Sequence, residues 1–170
     1  TWIGKEKRPK LEPRILLEDP SLSYHAKFRN TPLSPGEGKG VRDDLFDNRL
    51  IFGDNLLALK ALEHEFTGEV KCVYIDPPFN TGDMFENYDD GLEHSIWLGQ
   101  MRERFHSIHK LLRKDGSIFV HLNDDELDYC KVVLDEVFGR SNFVNRITIA
   151  ARSPSAFSTV NPGVFKSAEY

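Results

Sequence analysis

Apolar runs that alternate with helix-period stripes predict an α/β fold built on a mostly parallel sheet. Three stretches carry that expectation. Residues 70–75 (Val-Lys-Cys-Val-Tyr-Ile) are a short, nearly continuous apolar run, rich in β-branched and aromatic side chains. Such a run fits a strand buried on both faces. Residues 94–114 place Trp97, Met101, Phe105, Ile108 and Leu112 at helical spacing, and Leu98 and Leu111 widen the stripe. Residues 117–122 (Ser-Ile-Phe-Val-His-Leu) repeat the strand pattern, and a helix follows to about Phe138, where Gly139 stops it.

The 170 residues suit one domain with a sizeable core. Hydrophobic residues make up 39% and charged residues 29%, which excludes the disordered class. No apolar run approaches the roughly 18 residues of a membrane span, and no signal-peptide pattern opens the chain. A cytoplasmic location is therefore expected. Cys72 and Cys130 fall in apolar elements and read as buried free thiols of a reducing compartment. The net charge of −5 argues against gripping nucleic acid by charge alone.

Residues 1–47 read as an irregular N-terminal arm. Prolines at 9, 13, 20, 32 and 35 and the glycine-rich stretch at 36–40 break any long element. The Gly-x-Gly-x-Gly pattern follows no strand, so a surface loop is expected there, not a phosphate cradle. Residues 49–52 (Arg-Leu-Ile-Phe) read as a short strand ended by Gly53-Asp54-Asn55. Asp54 is a natural helix N-cap for a helix over about 56–64. Next comes the strand at 70–75, closed by Asp76-Pro77-Pro78-Phe79. Two successive prolines cannot donate to a ladder, so the strand must end there, in a stiff extended tip.

That tip has a chemical use. The Asp76 carboxylate and the Pro77 carbonyl are two acceptors at fixed spacing, suited to a planar amino group with two N–H donors. Phe79 can stack on the ring that bears it. Accepting both hydrogens favours a pyramidal nitrogen with a localised lone pair, which makes a poor nucleophile a better one. In open α/β sheets, ligands bind beyond the carboxyl ends of the strands.

The acidic stretch at 83–93 reads as a solvated loop or a segment that closes over a ligand. On the helix at 94–114, Arg102, Arg104, Lys110, Arg113 and Lys114 mostly lie off the apolar stripe and read as a solvated face. His106 and His109 lie three apart, but no third ligand follows at suitable spacing, so no metal is expected. Asp115-Gly116 turns the chain, and Asn123 with Glu126 suggests a capping box. His121 and Asn123 stand at a strand's carboxyl end and can border the site; for His121 a satisfied strand histidine is the equal alternative. Residues 144–151 read as a third β run, 152–163 as a polar loop, and 166–170 as the start of another strand.

The stretch Tyr74-Ile-Asp-Pro-Pro-Phe-Asn-Thr-Gly82 resembles the catalytic motif of amino-group DNA methyltransferases. It is most similar to the adenine-specific branch with permuted motif order, the beta class. Within that branch it resembles the modification subunits of type III restriction systems. Trp2-Ile-Gly-Lys5, Tyr88-Asp-Asp90, residues 97–104 and residues 116–143 resemble the same family.

The resemblance implies a Rossmann-like, S-adenosylmethionine-dependent fold, a bacterial or archaeal source, and methyl transfer to the exocyclic amino group of a flipped adenine in double-stranded DNA. It implies catalytic roles for Asp76, Pro77, Pro78 and Phe79 and cofactor contacts at Asp54, Asn55 and Asp76. It further implies a possible restriction subunit as partner and a possible homodimer. Cytosine amino methylation remains an alternative, as does an inactive module that only binds a partner. Transfer to RNA or to protein amides is disfavoured, because glutamine methylation usually carries Asn where Asp76 stands.

In the permuted branch the glycine-rich cofactor loop, the ribose-binding acid and the target-recognition domain follow the catalytic half. No strand–Gly-x-Gly–helix unit occurs in this sequence. Residues 48–170 therefore read as the catalytic half of a methyltransferase domain, with an incomplete sheet that has a gap or an exposed edge.

Overall fold

A computed structural model describes residues 48–80, 84–85, 88–89, 93–150 and 168–170, together with residues 2, 5–6, 9–12 and 14–23. The glycine-rich stretch at 36–40 and the polar loop at 152–163 lie outside the described residues, as does most of the acidic stretch.

Asp54 starts the first helix, α1 (Asn55–Phe66), by accepting the Leu57 N–H on its side chain at 3.0 Å. This is the expected N-cap. Strand β1 (Val70–Ile75) follows and pairs in parallel with β4 (Leu112–Val120). Between them come a two-residue hairpin, β2 (Met84–Phe85) with β3 (Tyr88–Asp89), and the 18-residue helix α2 (His94–Leu111). The connection β1–α2–β4 is thus a parallel βαβ unit, as the alternation of patterns predicts. Helix α3 (Leu127–Leu134) widens into a π-helical turn (Asp135–Gly139), and a 3-10 turn (Arg140–Asn142) follows. Gly139 ends it at φ +89, a conformation that L side chains rarely adopt.

The core lies where α2 meets the sheet and α3. Trp97, Leu98, Met101, Phe105 and Ile108 of α2 pack with Leu122, Cys130, Val133 and Val137. Val73 and Ile75 of β1 and Ile118 and Val120 of β4 join from the sheet. Polar ties set the helix directions. Arg104 and Lys110 of α2 bond Asn55 and Glu63 of α1, so the two helices run alongside in the same sense. His94 and Arg102 of α2 pair with Glu126 and Glu136, which aligns α3 likewise.

Several expectations need correction. Residues 70–75 are not buried on both faces: Cys72 and Tyr74 are exposed, as is Phe119 on β4. The pleat sends alternate side chains to opposite faces, and no described residue layers over the second face. Cys72 is therefore an accessible thiol, whereas Cys130 is buried as expected. Residues 49–52 form no strand, and Leu50 and Phe52 are fully exposed. A strand needs a partner, and none of the described residues provides one. Arg49 instead pairs with Glu65 at 2.6 Å and lies over the Phe66 ring.

Helix α2 ends at Leu111, and the following strand begins at once, earlier than its apolar run. Its ladder matches Val70 to Leu112 but Cys72 to Ser117, so the Asp115-Gly116 turn is absorbed as an irregularity inside β4. Gly116 is required there, since a Cβ would lie 2.9 Å from the Val70 carbonyl oxygen. The capping box does not form. Asn123 instead accepts the Asp125 N–H, and Glu126 turns inward. Of residues 144–151, only Ile149–Ala150 (β5) form a strand, paired antiparallel with Ala168–Glu169 (β6). The described parts of the N-terminal arm hold no helix or strand, but Trp2 packs on the core and Lys5 reaches Glu136.

Arg102 also departs from the solvated-face reading. It is buried, held by Glu136 at 3.0 Å and Glu103 at 3.5 Å. The Glu136 carboxyl is held below its ordinary value of 4.5 by bonds from Lys5 and Arg102, against the opposite push of partial burial. Its stabilising contribution is complete above pH 4.5 and is lost as pH falls through the lowered folded value. Glu136→Gln should cost about 1–3 kcal/mol at pH 7, because a buried guanidinium loses its charged partner. Denaturant titrations should show that difference shrinking below pH 4.5.

Burial pushes the Cys130 thiol up to about 12. A thiol reagent followed by peptide mass mapping should modify Cys72 in the native protein and Cys130 only after unfolding.

Candidate active site

The carboxyl end of β1 continues straight into Asp76-Pro77-Pro78-Phe79, beside the end of β4. The site is assembled around that tip by three contacts, none of which involves a neighbouring residue in sequence.

The first is Trp97, on the first full turn of α2. Its ring is almost wholly buried (1% exposed), and Nε1–H donates to the Pro78 carbonyl at 2.8 Å. A buried indole N–H needs an acceptor. Here it finds one that a prolyl segment cannot use in a ladder. No described residue donates to the preceding carbonyl, that of Pro77.

The second is His121, which follows β4. Its backbone N–H donates to the Ile75 carbonyl at 3.0 Å, extending the ladder by one step. Its ring is a hub. Nε2 lies 2.8 Å from Glu169 Oε2, and Nδ1 lies 3.2 Å from the Tyr74 hydroxyl and 3.4 Å from Asp76 Oδ1. The Phe79 ring meets the imidazole edge-on, with centroids 5.4 Å apart. In the neutral ring, Nε2–H donates to Glu169 and Nδ1 accepts from Tyr74. His121 is thus a satisfied strand-end histidine that lies beside Asp76 and Phe79. Glu169 reaches it because Tyr170 and Leu122 exchange backbone bonds of 2.9 and 2.7 Å.

The third is Glu126, only 3% exposed. Its Oε1 accepts from Asn80 Nδ2 at 2.7 Å, and His94 Nδ1 lies 3.0 Å from Oε1 and 2.8 Å from Oε2. Asn80 directly follows Phe79 and has φ +58, the left-handed region that Asn tolerates better than most residues.

Of the expected site residues, Asp76 and Phe79 converge on His121, and Pro77 and Pro78 form the rigid span between them. Asp76 is exposed. Asp54 and Asn55 sit elsewhere, at the start of α1. Asp54 caps Leu57 with Oδ1, while Oδ2 lies 3.8 Å from Arg104. Asn55 accepts from Arg104 Nε at 2.7 Å. No hydrogen bond or ion pair among the described residues joins them to the tip. Asn123 bonds Asp125 within its own loop.

The sequence did not single out Trp97, Glu126, His94 or Glu169 for the site. One signal was available: Glu126, Cys130, Val133 and Val137 share one helical face, so a carboxylate lies in line with core positions. Long-range partners such as Glu169 leave no such trace.

A parallel βαβ unit thus carries an acid–proline–proline–aromatic tip at the carboxyl end of its first strand, where ligands bind in open α/β sheets. Residues 70–170 match the family model N6_N4_Mtase, described as DNA methylase. The chain belongs to that DNA methylase family. It is 43% identical over 106 residues to a probable type III restriction-modification enzyme, the HindVI Mod subunit of Haemophilus influenzae, covering 62% of this chain and 14% of that protein. It is 39% identical over 110 residues to the type II methyltransferase M.EcaI of Enterobacter cloacae, covering 61% and 24%. Against the type III EcoP15I Mod subunit of Escherichia coli, identity is 34% over 177 residues, covering 84% and 25%. The alignments thus take in a quarter or less of these relatives' lengths.

Trp97→Phe keeps the ring but deletes the donor to Pro78. It should destabilise the protein by about 1–2 kcal/mol, measured by denaturant titration. Trp97→Leu should cost more, since it also leaves a cavity.

Proposed function

We propose that this chain is the catalytic half of a DNA methyltransferase that transfers methyl from S-adenosylmethionine to the exocyclic amino group of adenine. The observation that carries the reading is the Asp76–Phe79 tip, rigid and open at the end of β1, in a chain of the DNA methylase family. The two unpaired edges of the β1–β4 ladder among the described residues, and the small share of each relative that is aligned, support a larger, Rossmann-like sheet completed by further chain.

When bound, S-adenosylmethionine supplies a methyl group already activated by its positive sulfur, which leaves with the bonding electron pair. The residues present fit part of that ligand. Asp54 keeps one carboxylate oxygen outside its capping bond and can accept from an amino group. Asn55 is already engaged by Arg104.

The chemistry asked of the chain's own residues is positioning and lone-pair activation. The target base leaves the duplex, since its amino group is otherwise paired and stacked. Phe79 stacks on the flipped ring. The Asp76 carboxylate and the Pro77 carbonyl accept the two amino hydrogens, and Pro78 fixes the interval between them. The nitrogen lone pair forms the new N–C bond, and the nitrogen then gives up one proton to Asp76. Neither cysteine is needed as nucleophile. Cys130 is buried, and Cys72 lies on β1, short of the tip.

Double-stranded DNA is the proposed substrate, in the cytoplasm. The names of the Mod-subunit relatives support a restriction subunit as partner, and a homodimer is proposed from the family resemblance alone. Among the described residues, no helix is long and apolar enough to cross a membrane.

The test is tritiated methyl transfer to unmethylated DNA by the full-length protein, with label traced to the base. Label in adenine is expected. Asp76→Ala should lower kcat by at least about 10²-fold, the scale of losing one preorganised electrostatic contact. Unchanged transfer by Asp76→Ala would remove the tip from the chemistry.

A further inference from the structure

We propose that Glu126 is a positioning residue for methyl transfer, acting through Asn80 to fix the catalytic tip. The inference rests on the reading of Asp76–Phe79 given above. The Glu126 carboxylate bonds Asn80 and His94, none of those four residues. It is buried at the start of α3, and its Oε1 accepts from Asn80 Nδ2 at 2.7 Å. Its other neighbour is His94, the first residue of α2.

The geometry makes Asn80 the sensitive point. The tip is fixed at its start by β1 and in its middle by the Trp97 bond to Pro78. Its far end depends on Asn80, the only non-glycine among the described residues with a positive φ. Directly after Phe79, Asn80 takes a left-handed backbone conformation at the end of the tip. Asn is tolerated in that conformation but does not require it. The bond to a buried carboxylate selects it. Anchored by His94 and the backbone bond from Cys130 N–H to its own carbonyl at 2.8 Å, Glu126 ties the tip to the first turns of α2 and α3 together.

A buried carboxylate is costly unless it is paired. A purely structural role would be met by His94 alone, and an apolar side chain would serve the core as well. The Asn80 contact is what such a role leaves unexplained.

The experiment is a double-mutant cycle in the full-length protein, reading kcat and KM for DNA by tritiated methyl transfer. Glu126→Leu should lower kcat roughly ten- to hundredfold with KM unchanged, the effect of a misplaced reacting group. Glu126→Gln, which keeps an acceptor, should restore most of that loss. Asn80→Gly should give a similar fall, and the Glu126→Leu/Asn80→Gly double variant should be no slower than the slower single. Losses that multiply in the double variant would overturn the proposal, as would wild-type kcat in Asn80→Gly. Should Glu126→Leu fail to fold, Asn80→Gly decides alone by the same criterion. Asp76→Ala serves as the internal control: if it remains active, the reading of the tip fails, separately from the role of Glu126.

Discussion

The hydrogen bond from a buried tryptophan to a proline carbonyl holds the rest of this site in place. Pro77 and Pro78 end β1 because neither can donate, yet ending a strand does not by itself fix where the chain goes next. Trp97 supplies the missing constraint. Its indole is packed among core residues of α2, so its N–H is as immobile as the core. The Pro78 carbonyl it holds lies one residue from the carbonyl proposed to face the substrate. Core packing and site geometry are therefore the same interaction seen from two sides.

That arrangement explains the division of labour across the sheet. Val73 and Ile75 point to the core, while Cys72 and Tyr74 point away from it. Asp76 follows at the end of the same pleat. The ring of Tyr74 stays outside the core but reaches His121, which in turn touches Asp76 and Glu169. A strand with one packed face and one open face thus sends Val73 and Ile75 to the core and Tyr74 to His121.

The sequence made the local elements legible and the long-range ones largely not. The helix at α1, its Asp54 cap, the strand β1, the stripe of α2 and the Gly139 stop were all readable, because each follows from nearby residues. The Asp-Pro-Pro-Phe tip was readable for the same reason. Burial on the second face of β1 was misjudged, since an apolar run says that a face can be covered, not that it is. Residues 49–52 have strand composition but no partner among the described residues, so propensity alone did not suffice. Arg102 reads as a solvated-face residue because its partner Glu136 lies far along the chain. The spacing to Asn123 marks Glu126 as a capping residue. Only the fold shows that its carboxylate faces Asn80 and His94 instead.

The central claim is that Asp76 and the Pro77 carbonyl together hold an adenine amino group while Phe79 stacks on the ring. The most direct measurement is a crystal structure of the full-length protein with a target duplex and a non-reactive analogue of the methyl donor. The account predicts a flipped adenine whose amino nitrogen lies about 3 Å from both oxygens, within hydrogen-bond range. An adenine held by other groups, with Asp76 turned to solvent, would contradict it.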